Sequence, residues 1–269
     1  MAKVETIGEV FKKENAPVNT EPTLSDFPKI QCPLIRQTFK ANKEQWRKHG
    51  ARLNLRTPEV YLVVERVNPG YEWVFEDDDT IAVEKLNGTN VKLLTQGGRL
   101  IALQNRLNVI DPLQVMKGKT FIVEGIFRSI GKGYVRPDGE QAGELIGPKV
   151  QGNPYRLDMH EWYPFEKTVT ALSYRSFHEH ERTFNNWSAW FKDGLISRYH
   201  TKRSPKGEQG DKVMAEGVVF YNLKRKAEGR TWMAKLRRDM FPWYYSERID
   251  IFDYDQAGRG ETEEQEQFD

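Results

Sequence analysis

Most apolar residues of the chain fall in short runs with a period near two, separated by polar stretches rich in turn residues. Val60–Val67 (VYLVVERV) reads as a strand. Three more strand-like runs follow, TIAVEKL, VKLLTQ and RLIALQNR. Asn87-Gly88 separates the first pair and Gly97-Gly98 the second, so the pattern predicts an antiparallel meander with tight turns. KTFIVEGIFRSI (Lys119–Ile130), apolar nearly throughout, reads as a strand buried on both faces. Residues 131–155, dense in Gly and Pro, predict a long loop, after which YRLDMHEWYPF returns to strand character. AEGVVFYNL and RTWMAKLRR read as two strands joined by a basic turn, KRKAEG. Helical signals are fewer. FKANKEQWRKHG predicts a short helix stopping at Gly50. HERTFNNWSAWFKDG puts Phe184, Trp187, Trp190 and Phe191 at helical spacing, a core-facing stripe ended by Gly194. Many short strands with few helices, in non-alternating order, predict an α+β fold with antiparallel sheets.

Composition narrows the class. The chain has 269 residues, 38% hydrophobic, with seven Trp and fourteen Phe, enough for a sizeable core. The formal net charge of +2 supplies no global field toward nucleic acid, so any such binding rests on local patches. Cys32 is the one cysteine, which excludes an internal disulfide and a multi-cysteine zinc site and fits a reducing compartment. No apolar run approaches the roughly 18 residues of a membrane span. The N-terminus lacks an apolar signal core. A soluble, cytoplasmic monomer is expected, with residues 1–30 as a polar, loosely attached arm, 31–254 as the folded domain, and 255–269 as an acidic disordered tail.

One residue departs from the strand pattern. Lys85 stands two positions before Asn87-Gly88, among apolar Ile81, Val83 and Leu86. On its own it is most simply a solvent-facing lysine on an edge strand. A nucleophilic lysine needs help, because with a pKa near 10.4 only about one in 2,500 is neutral at pH 7, a deficit of about 4.6 kcal/mol. Burial and nearby positive charge supply that help. Glu124 in IVEG and Glu216 in AEGVVF place carboxylates in apolar runs, each followed by glycine. Such carboxylates are costly unless paired or bound to a metal. A glycine there leaves room for a ligand to approach the backbone. Lys235 and Arg237, two residues apart in WMAKLRRD, share one face of their strand.

Taken together these segments resemble the covalent nucleotidyltransferases, the ATP-dependent ligases and mRNA capping enzymes. KLNGTN (Lys85–Asn90) resembles their motif I, and QNR, ending at Arg106, sits where motif Ia falls. FIVEGIF resembles motif III, EGVVF motif IV, and MAKLRRD the lysine-rich motif V, with Arg237 where the family has a second lysine. Order and rough spacing agree over more than half of the chain. Asn87, in place of the usual Asp, and Thr89-Asn90 after the glycine resemble the RNA ligases of phage and repair pathways. Only about thirty residues follow motif V, so no C-terminal oligonucleotide-binding (OB) barrel is expected beyond the nucleotidyltransferase (adenylylation) domain.

The resemblance implies an ATP-dependent RNA ligase, joining RNA 5′-phosphate and 3′-hydroxyl ends through a lysyl-AMP and an adenylylated RNA. Lys85 would be the nucleophile. Arg106 would contact the ribose or RNA end, and Glu124 a ribose hydroxyl. Glu216 would coordinate Mg2+ or Mn2+, while Lys235 and Arg237 would hold the α-phosphate. Glu84, Asn87, Gly88 and Asn90 would shape the nucleotide pocket. Trp162, Tyr163 or Phe165 would stack on adenine. RNA contacts fall to two segments that mix basic and aromatic residues, Arg36–Arg56 and Arg198–Lys206. The alternatives are a DNA ligase, a capping-type guanylyltransferase, and a nucleic-acid-binding or virion-assembly protein without catalysis. GKT (Gly118–Thr120) is not a phosphate loop, since Leu113 stands where that loop needs glycine. HEH (His178–His180) lacks a visible third metal ligand.

Overall fold

Most of the period-two runs form strands, in three antiparallel sheets. The computed structural model describes residues 24–25, 27–106, 108–111, 118–179, 181–203, 212–225 and 232–253. The strands are β1 (Leu34–Ala41), β2 (Glu59–Val67), β3 (Thr80–Lys85), β4 (Thr89–Gln96), β5 (Arg99–Asn105), β6 (Asn108–Val109), β7 (Gly139–Ile146), β8 (Glu161–Pro164), β9 (Gly217–Asn222), β10 (Met233–Arg237) and β11 (Ile251–Asp253). The α-helices are α1 (Lys43–His49), α2 (Trp73–Glu76), α3 (Thr120–Gly131), α4 (Phe165–Ala171), α5 (Phe184–Ala189) and α6 (Arg198–Arg203). The sheet orders are β11-β1-β2, β10-β9-β3 and β6-β5-β4-β7-β8.

Two of the sheets frame a common space. On one face of β10-β9-β3, Ala82, Val218, Phe220 and Leu236 are buried with Trp187 and Phe191 of the α5 segment. That is the aromatic stripe expected at helical spacing, and α5 continues as a π-helical turn through Gly194. On the far side of the five-stranded sheet, Val91, Leu93, Leu145 and Trp162 pack on Ile122 and Ile126 of α3. The inner faces of both sheets meet through Val83, Leu86, Ile146 and Tyr163.

Three expectations are corrected here. Lys119–Ile130 is helix α3, not a strand. Its buried residues, Ile122, Gly125, Ile126 and Ser129, follow the helical repeat. Phe127 and Ile130 face solvent at 59% and 42% exposure, and these outward apolar side chains mimic a two-sided buried strand. Residues 131–155 are not all loop, because β7 runs through them. Its Gly143 is needed in a strand: a Cβ there would lie 2.5 Å from the Tyr163 carbonyl. Asn87-Gly88 is not a hairpin turn, since β3 and β4 belong to different sheets. Gly97-Gly98 does close a hairpin, with φ of 55° and 74°.

Most of the N-terminal arm and all of the acidic tail lie outside the described residues. Within the arm, Leu24 is buried and the Phe27 ring packs edge-on against Phe165 at 6.4 Å. No helix among the described residues is long and apolar enough to cross a membrane.

Candidate active site

Lys85 ends β3, and its Nζ donates to Glu216 Oε2 at 2.6 Å. Lys85, Gly217 and Arg237 form one register row across β3, β9 and β10. Lys235, two residues along β10, shares that face. Gly217 makes the row possible: a Cβ there would sit 2.2 Å from the Leu236 carbonyl oxygen. Its lack of a side chain admits the neighbouring strand, not a ligand. Arg237 Nη1 lies 3.9 Å from Glu216 Oε1, and its Nε pairs with Asp239 Oδ1 at 3.0 Å. Burial, followed by the charges of Lys85, Arg237 and Arg36, holds the Lys235 ammonium below the ordinary lysine range.

The opposite wall comes from the five-stranded sheet. Asn90, Glu144 and Tyr163 form a row across β4, β7 and β8. Asn90 Nδ2 donates to Glu144 Oε2 at 3.3 Å. Burial pushes the Glu144 carboxyl up to about 8; Lys85, the Gly88 amide and Arg106 oppose that, and Glu216 reinforces it. Gly88 brings the two walls together. A Cβ there would lie 2.3 Å from the Leu145 carbonyl oxygen, so only glycine lets the segment after Lys85 lie against β7. The Asn87 amide is anchored by the Tyr155 hydroxyl at 2.8 Å. Arg106 stands at the turn after β5 in the left-handed region, φ 53°, which costs a non-glycine residue and marks a held conformation.

Lys85, Asn87, Gly88, Asn90, Arg106, Glu216, Lys235 and Arg237 therefore converge, together with Tyr163. Three candidates do not. Glu124 lies on α3, behind the five-stranded sheet, and its Oε2 pairs with His160 Nδ1 at 3.1 Å. Trp162 is fully buried on that same rear face, its indole N–H donating to the Val91 carbonyl at 3.0 Å. Strand alternation sends Trp162 to the rear and Tyr163 to the site. Glu84 points away from Lys85 for the same reason. It accepts from Ser197 Oγ at 2.6 Å and the Tyr199 amide at 2.7 Å, fastening the start of α6. Burial nonetheless raises its carboxyl to about 7.

Residues absent from the sequence expectation complete the site: Glu144, Asp239 and Tyr155; Arg36, expected among the RNA contacts, stands at its edge. Glu144 carried a readable signal, a carboxylate inside the apolar run Ala142–Ile146, masked by the glycines that suggest a loop. Among the described residues no three metal-ligating side chains cluster. A magnesium-type ion bound to nucleotide phosphates needs only one or two carboxylates from the protein, so Glu216 fits that role. The cations outnumber the carboxylates, as a polyphosphate site requires. His180 lies outside the described residues, and His178 Nδ1 is 3.2 Å from an Arg182 nitrogen.

No protein-family model and no curated protein matches the chain. Among solved structures the chain is similar in part to Naegleria gruberi RNA ligase. A variant of that enzyme with ATP and Mn is 12% identical at TM-score 0.40, covering 82% of this chain and 64% of that one. The same enzyme with PPi is 15% identical at TM-score 0.39, covering 62% and 51%. A further variant, with AMP and Mn, is 12% identical at TM-score 0.33, covering 82% and 63%. The chain thus spans about half to two thirds of the ligase chains it matches.

Proposed function

We propose that this chain is an ATP-dependent RNA ligase that works through a lysyl-AMP on Lys85. The observation that carries the reading is the Lys85–Glu216 contact, flanked by Lys235 and Arg237 and faced by Glu144. An amine held among phosphate-binding cations, with a carboxylate suited to a hard cation, is an arrangement for nucleotidyl transfer.

In the first step the Lys85 nitrogen gives up its bond to Glu216 and attacks the α-phosphorus of ATP. The ammonium first loses one proton to solvent and becomes the neutral amine. As the N–P bond forms, the bond to the bridging oxygen breaks and pyrophosphate leaves, and a second proton passes from nitrogen to solvent, leaving the phosphoramidate N–H. Lys235 and Arg237 hold the α-phosphate and aim the leaving group. Tyr163, on the site side of β8, stacks on adenine, and Asn90 and Arg106 orient the sugar. Glu144 takes the ribose-side place expected of Glu124. Glu216 would hold magnesium or manganese, which would supply neutralisation of the phosphate oxygens. In the second step a 5′-phosphate oxygen of RNA attacks the same phosphorus and frees the lysine. In the third, a 3′-hydroxyl attacks the 5′-phosphate, forming the phosphoric ester and releasing AMP.

Incubation with α-labelled ATP and magnesium, followed by addition of RNA with 5′-phosphate and 3′-hydroxyl ends, tests this reading. Covalent label on the protein and joined RNA are expected. Label from GTP alone would point to capping, joining of DNA alone to a DNA ligase, and RNA binding without label to a non-catalytic protein.

A further inference from the structure

The sheet β11-β1-β2 has two unlike faces. On one, Ala41, Val60 and Leu62 are buried against Tyr245 and Ile249. The other carries Arg36 opposite Val63, Thr38 opposite Tyr61, and Lys40 between Glu59 and Phe252. At its inner end Val63 is buried in the main core. Farther out the face opens: Tyr61 is 55% and Phe252 40% exposed. The Tyr61 hydroxyl reaches Glu59 Oε2 at 3.4 Å, a long contact.

The inner end of this face adjoins the candidate active site. The Lys235 amide donates to the Gln31 carbonyl at 2.8 Å, and Gln31 bridges Ala234 just before β1 begins. Arg36 is close enough for its charge to act on Lys235. A band of cations and outward aromatic rings therefore runs from the site, through Arg36 and Tyr61, to Lys40 and Phe252. A protein partner seeks a continuous apolar patch. Rings interleaved with cations suit a polyanion whose bases have flat faces.

We propose that this open sheet face is the track for a single RNA strand. Bases stack on Tyr61 and Phe252, phosphates lie on Lys40 and Arg36, and the strand end is delivered to Lys85. The proposal rests on the RNA ligase reading, which supplies the strand. It is tested on the full chain by fluorescence anisotropy with a short fluorescein-labelled oligouridylate, and by photocrosslinking of a 4-thiouridine version. The Tyr61→Ala/Phe252→Ala double variant should bind about tenfold or more weakly, and Tyr61→Phe within about twofold of wild type. Lys40→Gln should flatten the salt dependence by about one phosphate contact. Crosslinks should map to the peptides of Tyr61 or Phe252. Thermal melting of the double variant identifies any loss due to unfolding, and the crosslink map of wild type does not depend on it. Unchanged affinity in the folded double variant, crosslinks mapping elsewhere, or no RNA binding by wild type would overturn the track. Labelling of Lys85 by ATP needs no RNA, so failure of the ligase reading shows there and failure of the track shows here.

Discussion

Two segments of this chain look alike and fold apart. Val123–Phe127 reads VEGIF and Ala215–Phe220 reads AEGVVF, each a carboxylate and a glycine inside an apolar run. The first is the middle of a helix, the second the start of a central strand. Glu216 meets Lys85 in the candidate site, whereas Glu124 meets His160 behind a sheet. The glycines differ as well. At Gly217 a Cβ would strike the backbone of β10, and at Gly125 the tip of Leu145, 2.3 Å away. Local pattern does not separate these two cases. What separates them is the wider period, four buried positions on one helical face against an alternating strand, and the partner each run finds.

That contrast can be broken or sharpened by substitution. The largest expected effect is on catalysis. Glu216→Ala should slow protein adenylylation by about 10²–10³-fold, with Glu124→Ala within about twofold of wild type, read as initial rates of labelling by ATP. Equal losses would mean that the two carboxylates had been told apart wrongly. Next comes stability, read by denaturant unfolding. Gly217→Ala should cost about 1–3 kcal/mol or more, because a rigid backbone must move. Gly125→Ala should change stability by less than about 1 kcal/mol, since gained helix propensity offsets the displaced leucine methyl.

The smallest effect is a pH slope. Burial raises the Glu144 carboxyl to about 8 and the Glu84 carboxyl to about 7, both from an ordinary 4.5. For a raised pKa the folded state binds more protons than the unfolded one. The stability this contributes is full below pH 4.5 and is lost as pH rises through about 7 to 8. The nucleotide-free protein should therefore melt lower at pH 8.5 than at pH 5.5. Glu144→Gln should flatten part of that slope, as thermal melts across the range will register.

Much of the architecture was legible in the chain. β2 to β5, β9, β10, the α1 and α5 helices and the Gly97-Gly98 hairpin follow from period and turn residues. Lys85, Glu216, Lys235 and Arg237 stand out as charges placed against that period, and it is the resemblance to the covalent nucleotidyltransferases that groups them into one expected site. What escaped detection has a common cause. Gly88, Gly143 and Gly217 serve close approach between backbones, and a glycine's reason cannot be read without its neighbour. Gly88 therefore looked like a turn, Gly143 like a loop, and with Gly143 the carboxylate Glu144 was hidden. Neither Asn87 nor Gly88 adopts the positive φ of a tight hairpin, whereas Gly97 and Gly98 do. Trp162 and Tyr163 are adjacent in sequence, and only strand register says which one shares a row with Glu144.

The central claim is that the Lys85 amine becomes bonded to phosphorus. Intact-mass and peptide-level mass spectrometry after mixing the full chain with ATP and magnesium tests it most directly. The account predicts a gain of one AMP, mapped to Lys85, retained in Glu124→Ala and absent in Lys85→Ala. No gain in the wild-type protein, or an AMP carried by another residue, would contradict it.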